Sequence, residues 1–179
     1  MDNGASSYRR FLDGDEAAFD DVMKTLFHPL VFFIHRFVQD IHTAEDIAMD
    51  VFTELIVHKH RYHFGVSLKT YLFMLGRSRA LDYIKHRGIL TFTELAQADQ
   101  DDGTRLEDAV LADQRKRIIH SALGKLPGDM QLAVHLYFFE EMSYEEIARV
   151  MRKNRKQVDN LLYRAKKELR ILLGKDGIV

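Results

Sequence analysis

Apolar residues recur at helical spacing along most of this 179-residue chain. Between Phe19 and Val38 they stand at Phe19, Val22, Met23, Leu26, Leu30, Ile34 and Phe37, the repeat of an amphipathic helix. Pro29 lies in the middle of that run and lacks an amide N–H, so a kink or break is predicted there. A second helix is predicted from Thr43, its N-cap, with Glu45 and Asp46 suiting the positive helix N-terminus. It runs through Ile47, Val51 and Leu55 to about His58. A loop covers residues 59–66. Ser67 then caps a third helix from Leu68 to about His86.

The periodicity is lost over residues 88–112, where TFTELAQADQDDGTRLED is acidic, polar and Gly-containing and reads as a linker. Helical spacing resumes near Asp113. LPGD at 126–129 interrupts it with a turn, and Leu132 to Phe139 forms an apolar helix. Ser143 and Glu146 make an S-x-x-E capping box at the start of the next helix. No regular strand alternation is present. The predicted fold is all-α: two small helical domains, residues 1–88 and 113–179, joined by a flexible acidic linker at 89–112.

Ser143 to Leu172 reads as two helices joined by the turn Arg152-Lys153-Asn154, a helix-turn-helix with Asn154 as N-cap of the second helix. On a helical wheel Val158, Leu162, Ala165, Leu169 and Leu172 fall within about 80° and form the predicted buried stripe. Lys156, Asn160, Tyr163 and Lys167 fall opposite, flanked by Arg164, Asp159 and Arg170. Such a face suits a major-groove reader. Asn can pair with adenine, Arg with guanine, and Asp can accept from cytosine.

Charge changes the picture because it is blocked. The whole chain sums to −1. Residues 11–54 carry ten acids and two bases; 59–87 carry seven bases and one acid. Residues 91–113 carry seven acids and one base; Arg149 to Arg170 carries nine bases and two acids. Alternating blocks point to separate surfaces for separate partners, the basic ones for phosphate. Cysteine is absent, which excludes disulfides, thiolate zinc sites and a Cys nucleophile and suits the cytoplasm. No apolar run approaches a membrane span, and the N-terminus lacks a signal-peptide core.

Enzymatic motifs are missing too: no phosphate loop, nucleophile elbow or dinucleotide fingerprint occurs. His58, His60 and His63 do not share one helical face, so no metal is expected; nor is a cofactor or a small-molecule substrate. From the residues, two non-enzymatic classes stand open: a stand-alone helix-turn-helix regulator and an interaction protein.

LPGDMQLAVHLYFFEEMSYEEIA and VDNLLYRAKKELR in the C-terminal half, with TAEDIAMDVFTELI and SLKTYLFMLGRSRALDYIKHR in the N-terminal half, carry a family resemblance. The chain resembles a bacterial RNA polymerase sigma factor of the extracytoplasmic-function (ECF) type, with both motif sets in family order and the linker between. The resemblance implies an alternative sigma factor that binds core RNA polymerase and directs promoter-specific initiation. By position, Asp46, Asp50, Phe52 and Glu54 would dock on the clamp helices of the largest subunit, and the flap on the apolar side of the C-terminal domain. Arg61, Tyr62, His63, Phe64, Lys69, Arg77, Arg79, Lys85 and Arg87 would hold the melted minus-ten strand by stacking and phosphate contacts. Lys156, Asp159, Asn160, Tyr163 and Arg164 would face minus-thirty-five bases, and Lys153, Arg155, Lys166 and Lys167 would hold phosphate. An anti-sigma factor is a further candidate partner. Three departures from the family pattern stand out. Met49 sits where Gln is frequent, Asp159 where a base is frequent, and RKNRKQVDN where a small, Gly-containing stretch is common.

Overall fold

The computed structural model describes residues 4–87 and 118–175, the latter without the Lys175 side chain. Every regular element among them is helical. In chain order these are α1 (Ala5–Leu12), α2 (Ala18–Val38), α3 (Ile41–Val57), a 3-10 turn (Lys59–Arg61) and α4 (Leu68–His86). There follow α5, described over 118–124, then α6 (Gly128–Phe138), α7 (Tyr144–Met151) and α8 (Arg155–Lys175). They form two compact units, the first centred on α1–α4. The expected linker at 89–112 and the expected domain start at Asp113 lie outside the described residues.

In the first unit α2 is the central helix, packed by α1, α3 and α4. This accounts for its breadth of burial: Val22, Leu26, Leu30, Val31, Phe33, Ile34 and Phe37 are all inside. Phe33 lies 4.6 Å from Phe73 of α4 between ring centroids. Gly76 lets α4 come this close, since a Cβ there would stand 2.9 Å from Leu30 Cδ1. Pro29 does not break α2, which runs unbroken from Ala18 to Val38. The missing N–H removes one rung, and packing on three sides holds the rest of the helix.

Two local expectations change. The N-cap of α3 is Asp40, whose side chain accepts from the Thr43 N–H at 2.7 Å. Thr43 lies inside the first turn, so α3 starts earlier than Thr43 suggested. The short α1 gave no periodic signal, yet it buries Tyr8 and Phe11. The Tyr8 hydroxyl donates toward the Leu55 and Lys59 carbonyls, at 3.1 and 3.2 Å, just where α3 ends. Ser67 caps α4 as expected, accepting from Thr70 N–H at 3.2 Å.

In the second unit α8 packs chiefly on α6. The capping box at α7 is present: the Ser143 N–H donates to Glu146 Oε2 at 3.0 Å, and the Glu146 N–H to Ser143 Oγ at 3.3 Å. α7 closes with a Schellman arrangement. Lys153 N–H donates to the Ala148 carbonyl and Arg152 N–H to the Arg149 carbonyl, with Arg152 at φ 53°. Glycine is the residue favoured in that left-handed conformation, and a side chain there costs about 1 kcal/mol.

Candidate nucleic-acid and partner interface

α8 starts from a second reciprocal cap. Asn154 N–H donates to Gln157 Oε1 and Gln157 N–H to Asn154 Oδ1, both at 2.8 Å. Together with the Schellman turn this fixes the entry of α8. Val158, Leu162 and Ala165 are buried, Leu169 and Leu172 half-buried. The opposite face is open: Lys156, Asp159, Asn160, Tyr163, Arg164 and Lys167 are all exposed, Tyr163 by 70%. The five residues expected to face bases thus share one accessible side of one helix.

Three of the four candidate phosphate contacts have internal partners. Lys153 pairs with Asp129 at 2.9 Å and Arg155 with Glu145 at 3.1 Å. Lys166 Nζ sits 5.7 and 5.9 Å from the ring centroids of Tyr137 and Phe138. Exposed pairs of this kind contribute about 0–1 kcal/mol, so phosphate can replace the carboxylate at little cost.

In the first unit the outer side of α3 carries Glu45, Asp46, Asp50 and Thr53, all exposed. Met49, Ile56 and Val57 are exposed beside them, at 49%, 39% and 66%. This is an acidic face with exposed apolar residues, and Phe52 is not one of them. Phe52 is 1% exposed, its ring 6.0 Å from Phe27 and 6.2 Å from Phe19 between centroids. A side chain that fills the core cannot anchor a surface partner, so the expectation for Phe52 is corrected. Met49, Ile56 and Val57 were missed; the wheel sets them opposite Ile47, Val51 and Leu55, which was a readable signal.

Glu54 also differs from expectation. It faces α4 rather than the outer side. Its Oε1 accepts from Arg61 at 3.0 Å and its Oε2 from Arg79 at 2.7 Å. The Arg79 hydrogen bond, with help from Arg61, holds its carboxyl below the usual range.

Of the nine residues expected on the melted strand, Arg61, His63, Arg79, Lys85 and Arg87 are exposed, and Phe64, Lys69 and Arg77 are half-buried. Tyr62 is 4% exposed and packs against Tyr8, Phe64 and Tyr71, its hydroxyl donating to the Val66 carbonyl at 2.7 Å. It holds the loop to α1 and presents no face for a base, which corrects that expectation. Phe64 keeps partial access under the Arg9 guanidinium, 4.7 Å from its centroid. Arg77 and Arg79 stand roughly 160° apart around α4, so these cations do not share one surface. Arg61 and Arg79 are brought together, through Glu54.

Comparison with known proteins decides the family. The family model for Sigma-70 region 2 matches residues 22–88, and that for Sigma-70, region 4 matches residues 116–169. The chain belongs to the sigma-70 family. Among relatives of this sigma factor, the ECF RNA polymerase sigma factor SigM of Bacillus subtilis is 24% identical over 161 residues, 87% of this chain and 95% of SigM. The RNA polymerase sigma-H factor of Pseudomonas aeruginosa is 27% identical, over 87% of this chain and 86% of its own. The fold matches that of the sigma factor RpoE, co-crystallised with the anti-sigma factor NepR from Bartonella quintana. The TM-score is 0.62 at 20% identity, over 87% of this chain and 96% of that one. CnrH, in complex with the cytosolic domain of CnrY, gives a TM-score of 0.61 at 19% identity, over 97% and 96%. The protein is an ECF-type alternative sigma factor that directs promoter-specific transcription with RNA polymerase. Sigma factors are non-catalytic initiation factors. No helix among the described residues is long and apolar enough to cross a membrane.

Proposed function

We propose a division of labour within this sigma factor. The outer face of α3, with Asp46 and Asp50 flanked by Met49, Ile56 and Val57, docks on the clamp helices of the polymerase largest subunit. The loop after α3 and the exposed cations of α4 hold the melted minus-ten strand, with Arg61, His63, Arg79, Lys85 and Arg87 tracking phosphate. α8 reads the minus-thirty-five duplex through Lys156, Asp159, Asn160, Tyr163 and Arg164. The polymerase flap meets the apolar side of the same unit. The protein works in the cytoplasm, where polymerase and promoter DNA meet, and catalyses nothing itself. Because RpoE is co-crystallised with the anti-sigma factor NepR, an anti-sigma protein is proposed as a further partner here.

The observation that carries the reading is the open polar side of α8 opposite a buried stripe. Long polar and basic side chains beside a well-capped helix start are what a major groove requires. Run-off transcription with reconstituted holoenzyme on genomic fragments is the test. Discrete starts that need both core enzyme and this chain are expected. Tight binding of the chain alone to a palindrome, with no effect of core enzyme, would overturn it. Reversing the charges in Asp46→Lys/Asp50→Lys should abolish capture of core polymerase and leave duplex binding unchanged; undiminished capture would refute the assignment of α3.

A further inference from the structure

Glu54, Arg61 and Arg79 come from three separate elements: the last turns of α3, the 3-10 turn and the middle of α4. The carboxylate is tucked in, with 15% of its side chain exposed, while the guanidinium side chains are 61% and 54% exposed. Each carboxylate oxygen takes one hydrogen bond from one arginine. A guanidinium has five N–H donors, so both arginines keep most of theirs for an outside acceptor. They stand at the edge of an open depression lined also by Asp50, Thr53, Val57 and His58. Without a carboxylate between them, two cations at this spacing would repel and spread, each on a long and mobile side chain.

We propose that Glu54 is a positioning residue that spaces Arg61 and Arg79 as a two-guanidinium clamp for adjacent phosphates of the melted promoter strand. The proposal rests on the reading that the loop and α4 meet that strand. Glu54 need not release either arginine when phosphate binds. Its carboxyl, held below the ordinary value by the Arg79 hydrogen bond, is ionised throughout the neutral range, as any unperturbed glutamate would be, so the spacing does not vary there.

The test uses holoenzyme carrying the full chain, with the fluorescein-labelled non-template strand of a promoter recovered by run-off transcription as probe. Glu54→Gln should weaken binding about tenfold, the loss of roughly one charge-assisted contact. Glu54→Asp, which keeps the charge on a shorter reach, should fall between wild type and Glu54→Gln and supplies the reading if Glu54→Gln melts below the assay temperature. In an Arg61→Ala/Arg79→Ala background, Glu54→Gln should change nothing further. If that variant alone binds as well as wild type or better, while the double arginine variant is weakened, the carboxylate is a bystander or a competitor of phosphate and the proposal falls. A further loss in the arginine-free background would assign Glu54 to the fold instead, and would also overturn it. If the double arginine variant binds as wild type does, the minus-ten reading itself fails and takes the proposal with it.

Discussion

Replacing Tyr8 by Phe removes one oxygen atom from the centre of the first unit. The residue is 0% exposed, and its hydroxyl serves the Leu55 and Lys59 carbonyls. Leaving those acceptors without their donor costs about 1–2 kcal/mol at pH 8. The pH dependence gives a sharper signature. Burial, with the neighbouring Tyr71 and Tyr62, pushes the phenol from 10.0 up to about 12. The unfolded chain gives up this proton near pH 10, the folded chain only near pH 12. The stability contributed by the neutral phenol is therefore fully present below pH 10 and is lost as pH rises through 12. Two pH units correspond to at most about 2.7 kcal/mol. Tyr8→Phe cannot lose what it lacks, so the gap between wild type and variant should close over this window. Tyr62 and Tyr71, also raised by burial, are in both proteins and cancel in the difference. Urea unfolding followed by circular dichroism, at steps from about pH 8 to 12, measures the gap. A gap that stays constant across the range would show that the hydroxyl titrates as freely as in the unfolded chain, and would refute the buried-donor argument.

Other substitutions test other links. Gly76→Ala sets a Cβ 2.9 Å from Leu30 Cδ1 and 3.2 Å from Ile34 Cδ1, both in side chains with no exposure. Overpacking of about 1–3 kcal/mol should outweigh the helix-propensity gain of up to about 1 kcal/mol, and thermal melting should show the net loss; a raised Tm would mean that α2 yields. Asn154→Ala and Gln157→Ala each break one half of the reciprocal cap and should each destabilise by about 1 kcal/mol, less than additively when combined, as read by denaturant unfolding. In fluorescence anisotropy of holoenzyme on duplex promoter, Asn160→Ala should alter the preferred base at one position. Lys167→Ala should weaken all sequences alike and lower the salt slope by about 0.9; base-selective behaviour of Lys167→Ala would reverse the two assignments.

The fold was legible where a stripe was long and a cap unambiguous. Ser67 and the limits of α4, the Ser143–Glu146 box, and the buried and exposed sides of α8 could all be read from residue type and spacing. α1 could not, because eight residues give too few repeats for a period to show, and its two buried aromatics matter only through α3 and the loop they pack on. Asp40 and Thr43 are both capping residues three apart, and the hydrogen bond between them, Asp40 accepting from Thr43 N–H, looks the same in sequence whichever residue is taken as the cap. In the interface, position along the motif outran position around the helix. Phe52 followed the motif but turns inward, while Met49, Ile56 and Val57 turn outward. Glu54 was assigned to the acidic face, and only three-dimensional packing joins it to Arg61 and Arg79.

The left-handed residue at the end of α7 has a practical consequence for anyone seeking a hardier version of this protein. A screen for heat resistance should favour glycine at position 152, because Arg152→Gly relieves about 1 kcal/mol of backbone strain without touching the core. The same change removes a cation from the turn that leads into α8. Melting temperature and promoter affinity should therefore move in opposite directions at this one position, and ranking variants by stability alone would select against the protein's own task.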